Sequence, residues 1–172
     1  RVLFIGILFF IITGCSNMKL DDFADKNPEL KIEEYFLGKT SATGLFIDRF
    51  GKVKRQFTVD MEGIQDGDLF ILNETFLYDN GEEEFRRWEI KKTGDKTYEG
   101  NSSDIKGIAL GERSGNAINW HYTLKLKYRD GIMLVKFDDW LIMQDEKNVF
   151  NKATMKKFGI RLGDVYLFFR KD

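Results

Sequence analysis

Carboxylates and aromatic side chains carry what chemistry this chain has to offer. Its 172 residues include one histidine, His121, and one cysteine, Cys15. With Cys15 assigned below to lipid attachment, no Cys/His nucleophile pair and no structural zinc site can be assembled. A Ser-His-Asp triad would have to use His121, whose strand neighbours are Trp140 and polar residues on an outward face. The glycines stand in turns and never in a strand-to-helix Gly-x-Gly-x-x-Gly, so no phosphate loop is expected. Neither a metal nor a cofactor is implied.

What remains is a set of polar groups on apolar walls. Asp139 beside Tyr122 is the first of them: a carboxylate on an apolar face is desolvated, which favours its neutral form, and the phenol is its natural partner. Such a pair either fixes strand register, as most buried polar pairs do, or serves as a headgroup anchor or general acid/base. Glu74 is the second. A two-residue loop at Asn80-Gly81 sets it opposite Arg87, with Phe76 opposite Phe85; one more loop residue would set it beside Trp88 instead. Trp88, Trp120 and Trp140 are the candidate pocket walls, although aromatics at period two more often form plain core. Lys156, Lys157 and Arg161 form a small basic cluster, read as a solvated face or a contact to lipid headgroups.

The element that positions these groups is a long hairpin over residues 116–142. A type I′ loop at Asp130-Gly131 pairs Tyr122 with Asp139 and Trp120 with Leu141, and leaves one face apolar except for Asp139. The other face collects His121, Thr123, Lys125, Lys136, Asp138 and Trp140. Turn dipeptides recur along the rest of the chain at Phe50-Gly51, Asp66-Gly67, Asn80-Gly81, Gly94-Asp95, Gly115-Asn116 and Gly163-Asp164, with alternating segments between them. About eight to ten strands in an antiparallel meander are expected, and closure would remove the exposed edges. The fold class is therefore all-β, an antiparallel up-and-down barrel or a sandwich, with closure into a barrel preferred. Charges on the polar strand faces, such as Lys125, Lys127 and Lys136, argue against a membrane pore.

Composition agrees with a folded domain. Phe occurs 16 times, Pro once, charged residues make up 32% and the formal net charge is −1. Without a basic block there is no electrostatic footprint for nucleic acid. Residues 1–14 read as a lipoprotein signal peptide, since Val2 to Ile12 is too short for a mature span but suits an h-region. The signal ends at Ile12-Thr13-Gly14-Cys15, which marks Cys15 for acylation, and its first residues are expected to lie upstream of Arg1. Residues 15–28 are expected to form a flexible lipidated tether, and 29–172 the barrel. Asn27-Pro28-Glu29 reads as a helix start, giving a short N-terminal helix that runs to Leu37 and stops at Gly38.

Several segments, in order, carry a resemblance to known proteins. They are Phe46-Ile47-Asp48-Arg49-Phe50-Gly51-Lys52, Phe57-Thr58-Val59-Asp60, the Glu74 to Glu82 stretch, Arg86-Arg87-Trp88, Gly115 to Tyr122, Phe137-Asp138-Asp139-Trp140 and Lys157 to Gly163. With the signal ending at Cys15, the chain resembles a family of bacterial lipoproteins of unknown function thought to be lipocalin-like. It departs from the lipocalins proper, which have Trp where Thr43-Gly44 stands in the first strand. The resemblance implies an outer-membrane lipoprotein, with Ser16 after the cysteine, facing the periplasm. The expected role is binding a small apolar ligand, a fatty acid or other lipid, in envelope lipid handling or stress. The alternatives are a filled barrel that docks a partner, and a lipid-modifying enzyme using Asp139 and Tyr122. The many Phe residues favour a filled interior.

Overall fold

A computed structural model describes residues 17–172, and Cys15 with the signal segment lies outside the described residues. Ten strands make a closed barrel: β1 (Gly38–Asp48), β2 (Val53–Asp66), β3 (Leu69–Tyr78), β4 (Glu83–Lys92), β5 (Thr97–Asn101), β6 (Ala109–Ser114), β7 (Ala117–Tyr128), β8 (Gly131–Met143), β9 (Asn148–Lys157) and β10 (Ile160–Lys171). Each strand pairs antiparallel with its sequence neighbours, and β10 returns to pair with β1. The expected up-and-down barrel is thus what the chain forms, and every strand edge is used. Among the described residues, every strand and every buried apolar residue falls within residues 20–171, and the sheet closes on itself without a contribution from outside that range.

Alternation decides what faces inward. On β2, Val59 and Met61 are buried while Thr58, Asp60 and Glu62 are exposed; on β9, Val149, Asn151, Ala153 and Met155 point in. The β7–β8 hairpin keeps its expected faces, but its register differs by two residues: Tyr122 pairs with Phe137, and Trp120 with Asp139. The turn residues are Arg129 and Asp130, not Asp130 and Gly131, with Arg129 in the left-handed region at φ 53°. A shift of two conserves faces because side chains alternate with period two.

The N-terminal helix is a single turn, α1 (Ile32–Tyr35), and it begins after Lys31, not at Pro28. The reason is a competing contact. The Leu30 N–H donates to the Gly115 carbonyl at 2.9 Å, holding the chain in a non-helical course against the β6–β7 turn. The turn nevertheless seals one end of the barrel. Leu30, Ile32, Tyr35 and Phe36 are all buried, each burial stabilising by on the order of 1.5–3 kcal/mol. Lys171 Nζ at the end of β10 donates to the carbonyls of Tyr35 (2.6 Å) and Leu37 (2.8 Å), satisfying acceptors the short helix leaves free. Tyr35 donates to the Lys147 carbonyl at 2.8 Å, and Glu33 accepts from Lys92 and Tyr98.

Ahead of the lid, Leu20–Phe23 forms a 3-10 turn beside β6 and β7, and the Phe23 ring lies 5.8 Å from that of Trp140. From Leu20 onward, the stretch expected to act as a spacer therefore lies on the barrel wall. Among the described residues no helix is long and apolar enough to cross a membrane.

Candidate functional site

The barrel interior is not filled. A cavity of about 810 Å³ runs from the lid, at Ile32 and Phe36, to the opposite open end. Ala153, a small inward-facing residue, is part of its lining. The Phe residues among the described residues do not close it, because Phe50, Phe85, Phe150, Phe158 and Phe168 are on the outside. Phe57, Phe76, Leu72, Leu124, Leu141 and Leu167 supply much of the apolar lining.

A belt of polar side chains crosses this lining at mid-depth. The β3–β4 loop has three residues, Asp79 to Gly81, with Gly81 at φ 82° closing the turn. Glu74 consequently pairs with Arg86, not Arg87. Of the two registers the sequence leaves open, this excludes Glu74 with Arg87: Arg87 points outward, half exposed, and meets Glu89 at 3.4 Å. Arg86 enters the cavity instead, with Nη1 3.8 Å from Glu74 and Nε donating to Asp104 Oδ2 at 2.8 Å. Its guanidinium lies 5.2 Å from the centre of the Phe76 ring. Trp88 Nε1 also donates to Glu74, at 3.3 Å, from a diagonal position.

Across the cavity, Tyr122 donates to Asp139 Oδ2 at 2.8 Å. The pair forms as expected although the two residues are diagonal, not opposite. Asn151 donates to the other Asp139 oxygen and, at 2.9 Å, to the Trp140 carbonyl. Tyr122 stacks on Phe137 with centroids 5.0 Å apart and meets Trp88 edge-on at 5.7 Å. Trp120 lines the same cavity next to Tyr98. Trp140 does not: it lies on the outer wall under Phe23, so its place among the candidate ligand-binding residues is corrected.

Arg86, Asp104 and Asn151 are the belt members that sequence reasoning passed over. Arg86 was hidden by one residue of register. Asn151 interrupts the alternating apolar set Val149, Ala153 and Met155, a signal that was there to read. Asp104 sits in the β5–β6 loop, where no periodicity exists. The loop folds inward because Ile105 bridges to Leu124 and buries, while the Lys125 N–H donates to the Asp104 carbonyl at 2.7 Å.

The belt holds three carboxylates and one guanidinium, and burial raises two of the carboxylates, Glu74 and Asp139. Removal from water pushes the Glu74 carboxyl up to about 7 against the opposing attraction of Arg86. Burial likewise raises Asp139 despite its hydrogen bonds from Tyr122 and Asn151. Tyr122 is driven well above the usual phenol range, by burial first and the Asp139 charge second, so it stays a donor. Asp104 Oδ1 is buried and accepts no hydrogen bond from the protein. The belt can therefore hydrogen-bond a polar group of a guest while the walls above and below it accept apolar surface. Among the described residues no cluster of His, Cys, Asp and Glu is arranged to hold a metal ion.

A family model described as "Protein of unknown function (DUF3833)" matches residues 9–171 of the chain. No curated protein sequence matches it. Among solved structures, the S-type phycobiliprotein lyase CPES from Guillardia theta is similar, with a TM-score of 0.58 and 8% identity. The match covers 91% of this chain and 99% of that one. At that identity the likeness establishes the shared barrel fold.

Proposed function

The chain belongs to the DUF3833 family, and for this member we propose the binding of a small apolar ligand, a fatty acid or other lipid, inside the barrel. The observation that carries the reading is the cavity of about 810 Å³, mainly apolar with a narrow polar belt. Ligand pockets have this size and this balance of many apolar and few convergent polar groups. The guest's chain would run along Phe57, Leu72 and Leu167, with its polar group at Arg86, Glu74 and Tyr122. A barrel fold shared with a phycobiliprotein lyase is in keeping with this reading. Native mass spectrometry with organic extraction tests it, on residues 17–172 purified from a periplasm. A near-stoichiometric lipid-like species supports it; a clean apo mass that persists after incubation with fatty acids and phospholipids refutes it and moves the reading to partner docking.

The same proposal places the protein at the outer membrane facing the periplasm, held by acyl chains on Cys15. Support comes from Ile12-Thr13-Gly14-Cys15 after an apolar run, with Ser16 next. Incorporation of labelled palmitate that disappears in Cys15→Ser is the expected result.

A second reading, a lipid-modifying enzyme, draws on the 2.8 Å contact of Tyr122 with Asp139 inside the cavity. Asp139, raised by burial, would exchange the proton with the substrate as general acid/base, and Tyr122, held neutral, would orient it through its hydrogen bond. Asp139→Asn separates the readings: turnover of an added lipid lost with binding intact supports an enzyme, and unchanged turnover removes Asp139 from the chemistry.

A further inference from the structure

The open end of the barrel is rimmed by five loops, of which three are consecutive around the closed sheet: β1–β2, β9–β10 and β7–β8. Each of these three presents an aromatic ring to solvent: Phe50 (73% exposed), Phe158 (92%) and Tyr128 (52%). Each ring has a cation beside its face. Arg49 lies 4.7 Å from the Phe50 ring centre, Lys157 5.3 Å from that of Phe158, and Arg129 5.2 Å from that of Tyr128. Val53, Ile132 and Ile160, the strand residues next to these loops, are also more than half exposed.

Three further features separate this sector from ordinary surface. Two of the tips keep a non-glycine residue in the left-handed backbone region, Phe158 at φ 51° and Arg129 at φ 53°, a strained conformation. The sector is basic: Arg49, Lys52, Lys127, Arg129, Lys156 and Lys157 face only Asp130 and Asp48, and Asp48 is already 3.6 Å from Lys54. The charge is also one-sided, since the β3–β4 tip on the same rim is acidic, with Asp79, Glu82 and Glu83.

We propose that these three tips form a docking surface for a bilayer rich in anionic phospholipid, which seats the open mouth of the barrel against the membrane. Rings placed beyond the barrel rim reach the headgroup–acyl boundary, where aromatic side chains partition favourably. Flanking lysines and arginines meet lipid phosphates, their stems passing over the apolar zone. An anionic bilayer is the partner that satisfies both the exposed rings and the cation excess. The acidic β3–β4 tip is repelled, so the mouth sits tilted, with that side away from the lipid. The surface is distinct from the acyl anchor and meets the cavity only at Lys127 on its mouth, and it stands whether or not either reading holds.

The test uses residues 17–172, which lack Cys15, with vesicles of phosphatidylcholine alone or mixed with phosphatidylglycerol. The chain is expected to co-sediment with the mixed vesicles, weakly with phosphatidylcholine alone, and less as salt is raised. Phe50→Ser, Tyr128→Ser and Phe158→Ser combined should weaken binding by at least about a hundredfold, on the basis of roughly tenfold per half-buried ring. Phe158→Trp should shift its emission to the blue on mixed vesicles and be quenched by bromine in the acyl chains. No binding at low salt overturns the proposal, as does undiminished binding by the triple variant. So does an unshifted Phe158→Trp emission on the bound chain. A dimer without vesicles that the triple variant abolishes would assign the tips to a second copy and overturn it too.

Discussion

Replacing Glu74 by glutamine isolates the energetic consequence of placing a carboxyl in the cavity belt. In the unfolded chain the group ionises near its ordinary value of 4.5, whereas burial in the barrel raises it to about 7. Below both values the carboxyl is protonated in both states and pH has no effect through it. Between them the unfolded chain has lost the proton that the folded chain keeps, so folding takes up a proton and stability falls as pH rises. Above about 7 both states are ionised and the loss is complete. At about 1.4 kcal/mol per unit, a difference of some 2.5 units amounts to about 3 kcal/mol. Glutamine has no such proton, so Glu74→Gln should match the native chain near pH 4.5 and exceed it by about 3 kcal/mol at pH 8. For a chain of this size that is roughly 6–12 °C in Tm. Urea unfolding of both chains at half-unit pH steps measures the difference directly, since every other titrating group cancels to first order. A difference that stays flat from pH 4.5 to 8 would refute the desolvated belt: Glu74 would then ionise as it does in water.

Three other perturbations address the parts around it. Asp139→Ala removes the acceptor of the buried Tyr122 hydroxyl and should cost about 1–3 kcal/mol; with Tyr122→Phe the two losses should fall short of additive in a double-mutant cycle read by urea unfolding. Gly115→Ala would set a methyl 1.8 Å from the Phe23 carbonyl at a backbone φ of 50°, so residues 20–27 should leave the wall. Hydrogen exchange should speed up there while the strands stay protected, with about 1–3 kcal/mol lost overall. Lys171→Met strips the ammonium from the lid carbonyls, costing about 1–2 kcal/mol, and should raise exchange at Phe36 and Leu37 more than in the strands.

The architecture was legible in the sequence because two local signals agree along nearly the whole chain. Turn dipeptides divide it into segments, and alternation within each segment names its buried face. Pairing is less well specified than facing. The β7–β8 register moved by two residues, yet Tyr122 and Asp139 still share the interior and still bond, because a shift of two preserves faces and diagonal side chains remain within reach. The cavity itself was not legible. Whether 16 Phe residues fill a barrel depends on which of them point outward, and that set includes loop tips such as Phe50 and Phe158 that follow no alternation. Asp104 escaped for the same reason, being carried inward by a loop that Ile105 anchors.

The β3–β4 hairpin shows how much rests on one residue of loop. A two-residue turn at Asn80-Gly81 would have placed Phe85 and Arg87 inside, and Glu84, Arg86 and Trp88 outside. Phe85 would then occupy mouth space that Glu84 now leaves open, and Trp88 would leave the ring set around Tyr122. Glu74 would lose the Trp88 N–H, and Asp104 the guanidinium that holds it. The three-residue loop is selected because each of those groups finds its partner only in that register, while Arg87 finds Glu89 outside. Gly81, in a conformation that asks little of glycine and much of other residues, makes that loop accessible. The polar belt and the turn beyond it thus depend on each other: the loop selects which arginine enters the cavity, and the buried carboxylates that need it stabilise the loop.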